Sequence, residues 1–199
     1  MNQRRNLIRT LMIAAALLAV AGCATTPPPT FYQLEEPAST QLTGLERGIA
    51  IGVGPVTMAA YLDRPQIVSR AEAHKLVLSE FNVWVEPLKE SITRVIGVNL
   101  SNMMKTTRIF RYPRRDRTIP IAYRVAIDIA RFDGKLGGNV QLLARWTLYS
   151  GQDDNAILTR VSIITEASGG EGYEKMIAAQ NRSLQKLSRE IADAIKELQ

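Results

Sequence analysis

The chain has 199 residues, is 46% hydrophobic and 22% charged, carries a formal net charge of +6 and contains one cysteine. These values fit one globular domain and exclude wholesale disorder, while a lone cysteine excludes an intramolecular disulfide. Three basic residues (Arg4, Arg5, Arg9) stand in the N-terminal leader. Without them the net charge falls to about +3, and no Lys/Arg run is interleaved with aromatics, so nucleic acid is not an expected partner.

The first 23 residues have the parts of a secretion signal. Arg4, Arg5 and Arg9 form a basic n-region, and residues 11–20 form an uncharged h-region of Leu, Met, Ile, Ala and Val. That run is shorter than the roughly 20 apolar residues a transmembrane helix needs. Val20-Ala21-Gly22-Cys23 then reads as a lipobox: an aliphatic residue, two small residues and a cysteine. The small residues admit the extended backbone to a lipoprotein signal peptidase, and the thiol takes a diacylglyceryl thioether. The alternative is an ordinary signal peptide with a chance free thiol. Agreement of n-region, h-region, lipobox and single cysteine favours lipidation at Cys23. The Arg4-Arg5 pair faintly resembles a twin-arginine signal, but a general secretion signal is the simpler reading. The expected organisation is a signal peptide over residues 1–22, a lipidated cysteine and proline-rich tether over 23–30, and a single globular domain over 31–199. Residue 24 is Ala rather than Asp, which favours transfer to the outer membrane. The prolines at 27–29 make the tether stiff and extended, at about 3 Å per residue.

In the globular part, Phe31-Tyr32-Gln33-Leu34 reads as a short extended entry. A buried strand is expected over residues 49–56, with Gly52 and Gly54 marking close packing or a bulge. A hairpin over 66–81 turns near residues 71–74. A helix begins near Glu86-Pro87, where proline suits the first turn. Leu88, Ile92, Val95, Ile96, Leu100 and Met103 mark its apolar face, interrupted by Asn99. It ends near Lys105-Thr106 and is followed by a short strand over 108–112 and a basic loop (Arg114, Arg115, Arg117). Three long strands over 121–132, 139–149 and 157–167 form an antiparallel meander, with Asp133-Gly134 and residues 151–155 as turn signals. A long helix over 173–198 carries a stripe that includes Met176, Leu184, Leu187 and Ile191. The fold class is therefore α+β: a two-layer sandwich of six or seven largely antiparallel strands packed by two main helices.

Little suggests chemistry. His74 is the only histidine and falls in the hairpin turn. Asp153-Asp154 is too little for a metal site, and no glycine-rich phosphate loop precedes a helix. No catalytic residue, metal or cofactor is expected, and the chain is not expected to be an enzyme. Tyr61 and Leu62, in a loop, and Trp84, ahead of the first helix, are candidates for a partner interface. Plain core packing is the simpler reading of Trp84, and a solvated face the simpler reading of the arginine loop.

The order and spacing of several segments resemble a family. Cys23, Phe31-Tyr32-Gln33-Leu34, Val56-Thr57, Tyr61-Leu62, Ile67-Val68, Trp84, Pro87-Leu88, Phe132-Asp133-Gly134-Lys135, Arg145-Trp146 and Gly172-Tyr173-Glu174-Lys175-Met176 together are similar to the PqiC-type lipoproteins, the auxiliary lipoprotein component of ABC-type transport. The resemblance implies a role rather than a reaction: a non-catalytic, periplasm-facing docking subunit of an MCE-type intermembrane lipid transport system. It implies an MCE-domain protein as partner, anchoring in the outer membrane through acyl chains, and a homo-oligomer. A second possibility is a lipoprotein that itself carries a lipid or other hydrophobic ligand, which requires an internal apolar cavity.

Overall fold

The computed structural model describes residues 3–6, 27–36, 48–113 and 118–199. The lipobox with Cys23, the h-region and the arginine loop lie outside the described residues. Eight strands and two long helices follow in order: β1 (Thr30–Tyr32), β2 (Ile51–Met58), β3 (Gln66–Glu72), β4 (Lys75–Trp84), α1 (Leu88–Met104), β5 (Ile109–Arg111), β6 (Tyr123–Gly134), β7 (Asn139–Ser150), β8 (Ala156–Ala167) and α2 (Tyr173–Lys196). The α+β class holds, but eight strands replace the expected six or seven, and they form two sheets. A five-stranded sheet runs β5-β2-β6-β7-β8, and a three-stranded sheet runs β1-β4-β3. The meander β6-β7-β8 and the hairpin β3-β4 are antiparallel. Three further pairs are parallel: β1 with β4, and β2 with both β5 and β6. Parallel neighbours need a long crossover, so no local turn signal announces them.

Alternation sets the core. On β7, Val140, Leu142, Ala144, Trp146 and Leu148 all face the helices and are fully buried. They meet Val125, Ile127 and Ile129 of β6 and the stripes of both helices. Each large apolar side chain so buried contributes about 1.5–3 kcal/mol. Trp146 also donates its indole N–H to Ser162 Oγ at 2.9 Å, so its polar atom is satisfied inside the core.

Pro87 stands at the N-cap of α1, and Lys105 closes that helix in the left-handed conformation, donating its N–H to Ser101 O. Asn99, the interruption in the apolar stripe, is buried and donates Nδ2 to Ser188 Oγ of α2 at 3.2 Å. It is a polar tie between the two helices. Helix α2 ends at Lys196, and Leu198 beyond it is exposed.

Two local expectations are corrected. Asp133-Gly134 is not a turn: it closes β6, and the chain reverses over residues 135–138, where Gly138 N–H bonds Lys135 O at 2.9 Å. Gly134 is there because a Cβ would sit 2.6 Å from Asn139 O across the ladder. On β2, the register shifts between Val53 and Val56, around Gly54-Pro55. Gly54 has φ 125°, and a Cβ there would lie 2.2 Å from Tyr112 O. Only glycine fits that approach.

Candidate functional site

The strongest polar cluster joins the two sheets. Asp133, fully buried at the end of β6, accepts a two-pronged bond from Arg70 of β3: Nε to Oδ1 at 2.7 Å and Nη2 to Oδ2 at 3.0 Å. Tyr61, in the β2–β3 loop, donates its hydroxyl to Oδ2 at 2.7 Å. Arg131 Nε reaches Oδ1 at 3.2 Å. Burial pushes the Asp133 carboxyl up, but the bonds from Arg70 and Tyr61 and the two guanidinium charges outweigh it and hold the group below the usual carboxylate range. Burial, then the bond to Asp133, pushes the Tyr61 phenol well above its ordinary value. Arg70 is held above its ordinary value by the same bond. The cluster holds charge in fixed ionisation states, with no nucleophile–base pair, so it clamps the turn end of the β3-β4 hairpin to β6.

A second clamp lies toward the opposite end of the meander. The Arg124 guanidinium stacks 3.9 Å from the Tyr149 ring centroid and 4.8 Å from that of Tyr112. It bonds Asp154 Oδ1 through Nε at 2.9 Å and Nη2 at 2.5 Å. The acidic turn read in the sequence is therefore tied to an arginine. Among the described residues no group of three or more His, Cys, Asp or Glu is placed to hold a metal ion, and His74 is exposed in the hairpin turn.

The interface candidates are placed unequally. Leu62 and Trp84 are 2% and 5% exposed and belong to the core. Burial in the single chain agrees with plain core packing, the simpler reading of Trp84, and places Leu62 inside rather than on the loop surface expected for it. Tyr61 is half-buried, with its hydroxyl committed to Asp133. The exposed apolar surface lies elsewhere. On β8, the outer strand of the five-stranded sheet, Ile157, Val161 and Ile163 are 43%, 56% and 68% exposed. They point away from the helices, beside the half-buried Leu143 of β7. Both faces of β8 are thus partly apolar. The signal for this was present in the Val161-Ser162-Ile163-Ile164 stretch, where a one-sided strand would alternate cleanly.

Two open grooves flank the helices. One of about 530 Å³, lined by Val53, Glu90, Gly97, Ile109 and Arg111 among others, separates α1 from β5. The other, of about 760 Å³, lies between the β1 segment and α2, with Leu34, Ile177 and Asn181 beside Glu36 and Arg94. Arg94 pairs with both Glu36 and Glu86.

A family model for the ABC-type transport auxiliary lipoprotein component matches residues 32–192. The chain belongs to this family. Within it, the chain is 24% identical over 190 residues to the intermembrane transport lipoprotein PqiC of Escherichia coli, covering 94% of this chain and 97% of that one. The auxiliary lipoprotein fold is also that of two crystal structures, each 18% identical. One, of an uncharacterized protein, superposes with a TM-score of 0.69 over 85% of this chain and 99% of its own. The other, protein XCC0632 from Xanthomonas campestris, gives 0.65 over 82% and 92%. No helix among the described residues is long and apolar enough to cross a membrane. This auxiliary lipoprotein thus presents a packed core, two ionic clamps and an apolar outer strand.

Proposed function

We propose that this auxiliary lipoprotein is a non-catalytic docking subunit of an MCE-type intermembrane lipid transport system. Acyl chains on Cys23 hold it to the periplasmic face of the outer membrane, where it works as a homo-oligomer beside an MCE-domain protein. Family membership and the transport role named for the E. coli relative support the system. The lipobox residues Val20-Ala21-Gly22-Cys23 support the anchor.

The observation that carries docking is the β8 edge. Among the described residues the twelve-residue β8 has no strand on its outer side, and Ile157, Val161 and Ile163 stand exposed on it. Monomers normally blunt such an edge with charge, proline or a cover. Among the described residues the outward row of β8 carries no charge, no proline and no cover, with Arg145 of β7 beside Val161 as the nearest charge, so it suits a protein partner. A carrier of lipid needs an enclosed apolar chamber. The space between sheet and helices is instead filled by side chains such as Trp146, Phe132 and Leu142, and both grooves are open and rimmed with charge.

The test is the Val161→Asp/Ile163→Asp double variant. Both side chains are exposed, so stability should change by no more than about 1 kcal/mol. Size-exclusion chromatography with light scattering should show the wild-type chain as an oligomer and the variant shifted toward monomer, with co-purification of the MCE-domain protein lost. Unchanged mass and unchanged co-purification in a folded variant would overturn the assignment of docking to this edge.

A further inference from the structure

One row of side chains crosses the five-stranded sheet in register. Thr57 of β2 stands beside Asp128 of β6, Asp128 beside Arg145 of β7, and Arg145 beside Val161 of β8. All of them are exposed, on the face that the helices leave open. Asp128 accepts a 2.7 Å bond from the Thr57 hydroxyl. Among the described residues neither Asp128 nor Arg145 forms an ion pair, although they stand opposite each other across the ladder. The neighbouring arginines of this face are committed: Arg131 to Asp133 and Gln141, and Arg124 to Asp154.

The rows on either side divide the same face by size. Val125, Ile127 and Ile129 of β6 point inward and are buried, so the outward residues flanking Asp128 are Ala126 and Ala130. With Thr57 they make the β2-β6 half of the face low. The β7-β8 half is raised by Leu143, Val161 and Ile163, with Leu143 directly beside Ile163. One half therefore carries small side chains and a free carboxylate, and the other carries bulk and a free guanidinium.

We infer that a second copy of this chain packs on this open face, about a two-fold axis that runs along the strands between β6 and β7. This deepens the homo-oligomer reading above and rests on it. Rotation about that axis lays β7 of one copy over β6 of the other, and β8 over β2. Arg145 of each copy then meets Asp128 of the other. Val161 lies over Thr57, and Leu143 over the register shift at Ala130, so bulk meets small side chains. A two-fold contact requires a surface complementary to itself, in which residue i meets j and j meets i. A carboxylate and a guanidinium side by side across the axis meet that requirement, and so does the division by size. Sheets packed face to face stand about 10 Å apart with strands within about 30° of each other, a gap that Arg145 from one side and Asp128 from the other close together.

The test uses the full-length chain in mild detergent. Arg145→Asp or Asp128→Arg sets like charges against each other across the axis, and each should weaken self-association at least about tenfold by light scattering, because like-charge juxtaposition in an interface is strongly unfavourable. The two variants, differently tagged and mixed, should pair again, since one presents only acid at these positions and the other only base. An effect confined to one chain cannot produce that rescue. A photo-crosslinking residue in place of Thr57 leaves both charges native and keeps the test valid if a reversal variant fails to fold. It should give a covalent dimer on a denaturing gel, joined at the β8 peptide that holds Val161. Within one chain those two positions are separated by β6 and β7, roughly 14 Å at the usual strand spacing. Reversal variants that self-associate like wild type, while Val161→Asp/Ile163→Asp does not, overturn this inference and leave docking at β8 standing. Variants that stay apart when mixed, or a Thr57 probe that yields no dimer, also overturn it. A wild-type chain that is monomeric throughout overturns the homo-oligomer reading and this inference together.

Discussion

Asp133 shows how one side chain sets the geometry of a larger region. It brings a carboxylate into a fully buried site, and Arg70, Arg131 and Tyr61 supply the compensating charge and hydrogen bonds. Asp133→Asn keeps the shape but leaves two guanidiniums facing an amide, and chemical denaturation should show a loss of about 2–4 kcal/mol. The pH dependence follows from the direction of each shift. The folded-state carboxyl lies below its ordinary value, so its stabilisation is complete above about pH 3.9 and disappears as pH falls through the depressed value. The acid limb of the stability profile should therefore be shallower in Asp133→Asn. The folded-state Tyr61 phenol lies above its ordinary value, so its stabilisation is full below about pH 10 and fades as pH rises through the raised value. Tyr61→Phe should cost about 1 kcal/mol near neutrality and remove that alkaline loss. An unchanged alkaline limb would show that the hydroxyl is not held as described. None of this cluster was legible in the sequence. Asp-Gly reads as a turn from composition, and only the pairing of β6 with β7 shows that Gly134 is a crowded strand end and Asp133 an inward residue.

At the scale of elements, what is periodic was legible. Both long helices, the meander and the hairpin follow from spacing, and their observed bounds lie within a few residues of those expected. Pairings between distant strands were not legible, because nothing local encodes the neighbour of β2 or β1. The crossing of β2 beside Tyr112 gives a sharp test of that topology. Gly54→Ala places a Cβ against the Tyr112 carbonyl at a φ that L residues rarely adopt. It should destabilise the domain by roughly 2–4 kcal/mol, read as a lowered melting temperature. A melting temperature equal to wild type would mean β2 and the segment after β5 do not approach as described. The polar tie between α1 and α2 also had a trace in the sequence: Asn99 breaks an apolar stripe because its partner, Ser188, breaks the stripe opposite.

At the scale of the whole molecule, the surfaces divide the work. Helices cover one face of the five-stranded sheet, the β8 edge has no strand beside it among the described residues, and β1 enters beside β4 from the turn end of the β3-β4 hairpin. The family was readable from the chain alone. Core packing, the simpler reading of Trp84 in the sequence, is what the structure has, and Leu62 is buried with it, whereas β8 looks like an ordinary strand until its outer face is seen uncovered among the described residues. An anchored docking subunit needs both an acylated terminus and a partner-facing edge. The most direct measurement is mass spectrometry of the full-length chain purified from native envelopes in mild detergent, reading its N-terminal peptide and its co-purifying proteins together. The account predicts a peptide that begins at acylated Cys23 and an MCE-domain protein that is retained by wild type and lost in Val161→Asp/Ile163→Asp. An unmodified cysteine, or an acylated chain that retains no MCE-domain protein, would contradict it.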